Sequence, residues 1–343
     1  MTLAPFTAVM LASYGGPDKP ADVLPFMRNA TRGKGIPDAR LEEVSEHYML
    51  FGGKSPINEL NIALASRISD ELARRGIDVP VVRGNRNWHP YFKDATEQLL
   101  ADGHTRVLAL DTSAYRSYSS CRQYWEDLEG ASADVDGAVQ FEKLGPFAET
   151  DAFIAANARK SAESWRALRS RWDGDAKLVF VTHSIPLSMN EHSGVTPEEH
   201  YDKQHLRVAA RIATEVRRMV GEELEWELTY CSRSGPPQMP WLEPDVSDRL
   251  PELKAQGVGG VVVAPIGFIS DHMEVIYDLD TQAKEAANEC SLEFERAGTV
   301  DDDPEFVAML VDKLEEAAAA ARGEREIQNP CHFQSNKQCC RAR

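Results

Sequence analysis

Long apolar runs are missing from this chain. The longest nearly uninterrupted one, Val261–Ile269, falls far short of the roughly 20 residues that a membrane-crossing helix needs. The N-terminus, MTLAPFTAVMLAS, has an apolar centre but neither a basic start nor a small-residue cleavage site. It predicts a first buried strand, no export signal and a cytoplasmic protein. Positive charge is also scarce. Lys and Arg number 38 against 55 Asp and Glu, a net charge of −17. Such a surface repels phosphate backbones and anionic lipid, which argues against nucleic-acid and peripheral membrane binding. Cysteines number six, Cys121, Cys231, Cys290, Cys331, Cys339 and Cys340, with no C-x-x-C pair, and structural disulfides are rare in the cytosol. No Walker P-loop, G-x-S-x-G, H-E-x-x-H or EF-hand loop occurs, which removes the commonest nucleotide, hydrolase and metalloprotease readings. The glycines around Gly257-Val-Gly-Gly precede a strand pattern instead of following one, so they fail as a dinucleotide fingerprint.

What is present is an ordinary globular composition, 42% hydrophobic and 27% charged over 343 residues, enough for about two domains. Apolar β-rich runs at Thr7–Ala12, Val79–Gly84, Val107–Asp111, Leu178–Thr182, Trp226–Tyr230 and Gly260–Pro265 predict strands. Between them, a period of about 3.6 residues predicts helices over Ile57–Arg75, Tyr91–Ala101, Ala152–Arg171, Pro197–Val220, His272–Asn288 and Pro304–Ala321. Strand alternating with helix implies an α/β protein with parallel sheets in two doubly wound halves. The seam is placed near Leu144-Gly145-Pro146, where a loop signal falls.

In such sheets ligands sit beyond the carboxyl ends of the strands. His183 stands there, directly after Leu178-Val-Phe-Val-Thr. It is a candidate proton acceptor, or else a strand-end histidine bonded to a backbone carbonyl. Glu274, in Ser270-Asp271-His272-Met273-Glu274, is either an acid favouring a helix start capped by Ser270 or Asp271, or half of a metal site. Asp278 follows Glu274 by one helical turn. Two acids near an imidazole suit transient binding of a borderline ion such as Fe²⁺. Arg28, Arg32 and Lys34 form a local basic patch on an acidic chain, either a carboxylate-binding patch or a solvated turn.

Four motifs, in order, resemble the ferrochelatase family: Gly52-Gly53-Lys54-Ser55-Pro56-Ile57-Asn58, Thr182-His183-Ser184-Ile185-Pro186, the run from Ser232 to Asp245, and the run from Pro265 to Glu274. Tyr14-Gly15-Gly16-Pro17 and Tyr118-Ser119-Ser120-Cys121-Arg122-Gln123-Tyr124 are similar to the actinobacterial branch, whose members resemble coproporphyrin chelatases. The resemblance implies two Rossmann-like halves with parallel four-stranded sheets and a porphyrin cleft between them. The halves are expected over 1–148 and 149–303, with a helix and cysteine-bearing tail, 304–343, packing back on the first half. It implies insertion of Fe²⁺ into coproporphyrin III, giving coproheme, by a monomer or weak dimer. His183 and Glu274 would be the catalytic pair, approaching the ring from opposite walls, and Asp278 an outer acid on the path of the ion. Tyr14, Arg32, His47, Tyr48, Ser55 and Tyr124 would line the ring site or bind propionates. His47 stands where some relatives carry arginine, and Gln282 where many carry another acid.

Some ferrochelatases hold a [2Fe–2S] cluster on one internal and three C-terminal cysteines, and Cys121, Cys331, Cys339 and Cys340 match that count. The adjacent pair can ligate together only if the backbone turns there, because side chains diverge in an extended chain. Cys231 and Cys290 are expected to be structural. No exposed apolar lip is expected, which favours coproporphyrin over the less soluble protoporphyrin IX. A protoporphyrin IX ferrochelatase, a cobalt chelatase for another tetrapyrrole and a non-catalytic haem or porphyrin carrier are the alternatives.

Overall fold

The computed structural model describes residues 2–235, 238–327 and 338–342. Eight parallel strands form two sheets of four. The first contains β1 (Ala8–Ser13), β2 (Val81–Asn85), β3 (Arg106–Asp111) and β4 (Gln140–Lys143) in the order β2-β1-β3-β4. The second contains β5 (Ala176–His183), β6 (Glu225–Cys231), β7 (Gly260–Ala264) and β8 (Glu293–Arg296) in the order β6-β5-β7-β8. The α/β class and both four-stranded sheets agree with expectation. The six strands read from apolar runs are the three inner or early strands of each sheet. The two that escaped are the last edge strands, Gln-Phe-Glu-Lys and Glu-Phe-Glu-Arg. Each carries a single apolar residue, because an edge strand needs charge to discourage pairing with another chain.

Contacts divide the described residues into two compact units. The first holds 2–112, 123–145 and 301–327. The second holds 113–122, 146–235, 238–300 and 338–342. One break falls at 145/146, where the expected halves were divided at 148/149, and two further segments join the second unit. Residues 113–122 cluster with the second unit. The tail residues 338–342 do so as well, whereas the whole 304–343 segment was expected with the first half. The cause is local: Cys339 and Cys340 are buried, and Cys340 is hydrogen-bonded to Gly194 of the second unit.

The helix Pro304–Ala321 does belong to the first unit, and its origin is plain in the sequence. Asp303 accepts from the Glu305 and Phe306 amides, and Pro304 occupies the first helical position. Phe306, Val307, Leu310, Val311, Leu314 and Ala317 then recur at helical spacing and are buried. This helix packs against Ile57–Arg74, and Arg75 reaches across to Asp312 (2.5 Å) and Glu315 (2.6 Å). In the second unit, Val179, Val181, Val261 and Val263 of the sheet pack with Leu250, Leu253, Val275 and Leu279. Each such buried side chain contributes about 1.5–3 kcal/mol of transfer free energy, which fixes the register that brings the strand ends level.

Candidate active site

In each sheet the strand order reverses at a defined place, between β1 and β3 in the first and between β5 and β7 in the second. Loops leaving neighbouring strands there diverge and open a crevice beyond the carboxyl ends. His183 is the last residue of β5, and the segment carrying Glu274 follows β7. Both candidates therefore lie at the switch point of one sheet. They belong to the same unit, which corrects the expectation that they come from opposite walls. Gly267 makes the approach possible: its amide donates to Val181 O at 3.2 Å, and a Cβ there would sit 2.1 Å from Thr182 Oγ1.

His183 Nδ1 bonds the Ser184 carbonyl oxygen. A carbonyl only accepts, so Nδ1 carries a proton, and in the neutral ring it is Nε2 that presents the lone pair. The backbone bond anticipated for a plain strand-end histidine is thus present, and it sets the tautomer that a base or metal ligand requires. Nε2 lies 3.9 Å from Glu274 Oε2. That is too long for a direct hydrogen bond. Two donors roughly 2.1 Å from one tetrahedral ion would be about 3.4 Å apart, so a shared cation would draw the two side chains slightly together. His272 Nδ1 is 4.0 Å from the same oxygen. Burial lowers the pKa of His272, against the pull of Glu274, and keeps the ring neutral.

Asp278 does not complete a cage with this pair. Its carboxylate accepts from Ser232 Oγ. Burial lifts its pKa to about 6; Ser232 and His183 pull it down, while Glu274 and Asp245 push it up. Among the described residues no group of three or more His, Cys, Asp or Glu is arranged to hold a metal ion. The helix expected over His272–Asn288 is composite. A short α-helical turn, Met273–Val275, passes into a π-helix, Ile276–Ala283, and then an α-helix, Lys284–Glu289. The N-cap is His272, not Ser270 or Asp271; Asp271 is bound instead by Arg296.

Behind His183 lies a layer that sequence reasoning missed. Tyr201 OH pairs with Thr182 Oγ1 (2.7 Å) and donates to His183 O (3.2 Å). His205 Nε2 pairs with the same Thr182 oxygen at 2.9 Å, its Nδ1 with Tyr201 O at 2.8 Å, and its ring stacks on Tyr115 at 3.6 Å. Burial pushes the His205 pKa down to about 3, despite the Tyr201 carbonyl and Asp202. The only signal was the four-residue spacing of Tyr201 and His205 on one helix face.

The first unit places the ring-binding candidates unequally. Tyr14, just after β1, is 36% exposed and meets Phe26 edge to face at 6.2 Å. Phe26 also packs on Tyr48 (6.2 Å) and Trp88 (6.4 Å). Arg86 lies 4.3 Å from the Tyr124 ring and 6.0 Å from that of Tyr14, and pairs with Asp127 at 2.6 Å. Arg86 and Trp88 lie in the strand-end loop Asn85–His89, where ligands are expected, but neither they nor Phe26 had a role assigned from the sequence. Ser55 and Tyr124 are buried. Ser55 supports the β1 loop through its amide to Pro17 O (2.9 Å), and a Cβ at Gly16 would meet its Cβ at 2.7 Å. Ser55 therefore buttresses the loop from beneath, whereas Tyr124 lies under the Arg86 guanidinium and against Phe92. Arg32 is exposed and bonds Asn29 (2.8 Å), His47 is half-buried, and Lys34 is exposed. Arg28 is engaged by Asp38 at 2.8 Å, so the basic patch is weaker than its sequence suggests. Ile36, Met49 and Leu50 are exposed near the ends of the helix Asp38–Met49.

The cysteines separate into two groups. Cys231 ends β6 buried, and Cys290 is half-buried at a helix end with Sγ against Ala287 O (3.4 Å). Cys121, in the π-helical turn Tyr118–Arg122, is buried with Cys339 and Cys340. The backbone turns at 338–340, with Cys340 at φ +52. The two vicinal Sγ atoms are 3.6 Å apart, and the Gly194 amide donates to Cys340 Sγ at 3.3 Å. Cys121 hydrogen-bonds Cys340 and pulls its pKa down. The Cys339 bond, burial and the charge of Cys339 outweigh that and lift it to about 12. Cys331 lies outside the described residues.

An imidazole facing a carboxylate at the switch point of a parallel sheet is a site able to exchange protons or hold an ion in passing, and comparison with known proteins places it in a class of metal-inserting chelatases. The Ferrochelatase family matches residues 6–318, and this chain belongs to that family. The Coproporphyrin III ferrochelatase of Streptomyces griseus is 46% identical to it over 99% of this chain and 94% of the relative. That of Nocardia farcinica is 44% identical over 90% of this chain and 87% of the relative. SirB from Bacillus subtilis with Fe3+ shares the fold at TM-score 0.51 and 11% identity, covering 94% of this chain and 99% of that one. Among the described residues no helix is long and apolar enough to cross a membrane.

Proposed function

We propose that this protein inserts Fe²⁺ into coproporphyrin III, as the relatives' names describe for them, and does so as a cytoplasmic monomer or weak dimer. The observation that carries the reading is the His183 tautomer: Nδ1 is committed to Ser184 O, and the free Nε2 lone pair faces Glu274 at 3.9 Å. Insertion releases two pyrrole protons as one Fe²⁺ enters, so charge balances. His183 Nε2 accepts the two ring protons one after the other, handing each to Glu274, 53% exposed, and so to solvent before the next transfer. The absence of a cage among the described residues suits an ion that must leave for four ring nitrogens. Asp278, held by Ser232, serves as the outer acid. Tyr14, Arg32, His47 and Tyr48 are the proposed ring and propionate contacts; Ser55 acts through the loop it supports, and Tyr124 through Arg86, whose guanidinium lies 4.3 Å from its ring.

Cys121, Cys331, Cys339 and Cys340 are the proposed ligands of a [2Fe–2S] cluster. The donor chemistry fits. Three of the four thiols are described, all three are buried, and the turn at Cys340 brings the adjacent pair to one side. Two thiolates on one tetrahedral ion at roughly 2.3 Å would be about 3.8 Å apart. When bound, such a cluster supplies one-electron chemistry. Replacing Cys121 by Ala should remove visible cluster absorption from protein purified without oxygen; unchanged absorption would assign the ligands elsewhere.

The activity test is anaerobic turnover with Fe²⁺ and with Co²⁺, using coproporphyrin III and protoporphyrin IX side by side. The expected result is many turnovers per protein with Fe²⁺ and coproporphyrin III, and a lower kcat/KM for protoporphyrin IX. A spectral change that stops at one equivalent would make this a carrier.

A further inference from the structure

Arg296, the last residue of β8, takes no part in the proton chemistry above, yet its guanidinium is fully committed. Nη1 and Nη2 donate to the two oxygens of Asp271 at 3.1 and 2.9 Å. Nε and Nη2 donate to the two oxygens of Asp280 at 2.9 Å each. Thr299 adds a bond to Asp271 at 3.3 Å. Asp271 and Asp280 bracket the segment that carries His272, Glu274 and Asp278. Within that bracket the backbone changes from an α-turn to a π-helix, a rare geometry that is found frequently at functional sites. A planar fork that grips two carboxylates is something only arginine supplies; lysine offers a single point charge.

We propose that Arg296 is a positioning residue for metal capture: it clamps both ends of segment 271–280 and so holds the Glu274 carboxylate at its spacing from His183 Nε2. The inference rests on the chelatase reading of the site and deepens it. Outer partners of this type typically change metal affinity by about 10–100-fold when removed. Loosening the clamp therefore weakens capture of the ion while the porphyrin still binds.

The test compares wild type with Arg296→Lys and with Asp280→Asn, the latter releasing one arm of the clamp at a partly exposed position. Zn²⁺ binding to the porphyrin-free protein is measured by calorimetry, with His183→Ala giving the background of sites elsewhere. Turnover with Fe²⁺ and coproporphyrin III is measured in parallel. The expected result is a His183-dependent Zn²⁺ affinity weakened roughly tenfold or more in Arg296→Lys and severalfold in Asp280→Asn. KM for the ion should rise in step, with KM for the porphyrin within about twofold of wild type. His183-dependent affinity equal to wild type in both variants overturns the proposal. So does a fall in Tm and kcat with both KM values unchanged, which marks a purely structural role. Wild-type protein that binds Zn²⁺ through His183 but turns over no porphyrin would remove the enzymatic reading and leave the clamp standing.

Discussion

Ser232 is a small residue under strain for a purpose. It is not glycine, yet its φ is +61, a conformation that costs a side chain about 1–3 kcal/mol. Its hydroxyl meets Asp278 from there. Since that bond lowers the Asp278 pKa and burial raises it, Ser232→Ala should push the carboxyl further up. At pH 6.5 the variant should then show a higher KM for Fe²⁺ than wild type, the gap closing by pH 8; an unchanged ratio across that range would remove Ser232 from the metal path. The sequence made His183, Glu274 and Asp278 visible because each is an ionisable residue beside a strand end or at helical spacing. Ser232 lay inside a recognised motif, but nothing in a sequence reports a positive φ on serine. Phe26 and Trp88 were hidden for a different reason: apolar aromatics near a site read as ordinary core until their neighbours are known.

At the scale of elements, the pairing of β5 with the helix Tyr201–Val220 carries a liability in acid. His205 is fully buried on that helix, with a pKa near 3 against 6.5 when exposed. The unfolded chain therefore binds this proton first. The stability contribution is complete above pH 6.5 and is lost as pH falls from there toward 3. At pH 5 the loss from this group is about 2 kcal/mol. His205→Phe, which keeps an aromatic ring against Tyr115, should flatten that part of the acid limb in urea-denaturation midpoints between pH 7 and 5; an unaltered slope would mean that other groups dominate. Periodicity revealed the long helices, Ile57–Arg74 and Pro304–Ala321, since each repeats its apolar face for several turns. It did not reveal Pro20–Ala30 or Val246–Ala255, whose internal prolines, Pro25 and Pro251, disguise them. The π-helix at 276–283 has no recognised local signature, since the extra residue per turn is imposed by what the segment must reach.

For the whole molecule, the net charge of −17 opposes a tetra-anionic porphyrin at long range. The local patch does little to offset it, since Arg28 is paired with Asp38. Raising ionic strength from about 0.01 to 0.15 M shortens the screening length from roughly 30 to 8 Å. The association rate of coproporphyrin III should therefore rise with salt over that range; a steep fall would mean that the exposed cations control approach. The two-sheet plan was legible because three of the four strands in each sheet announce themselves as apolar runs. The assignment of residues 113–122 and 338–342 to the second unit was not, because it depends on contacts far apart in sequence. The central claim is that the Nε2 lone pair of His183 is the group that meets the reacting centre. Anaerobic single-turnover insertion of Fe²⁺ into bound coproporphyrin III by His183→Ala tests it most directly. The account predicts a rate reduced by about 10²–10⁴-fold with the porphyrin dissociation constant within about threefold of wild type; insertion at the wild-type rate would contradict it.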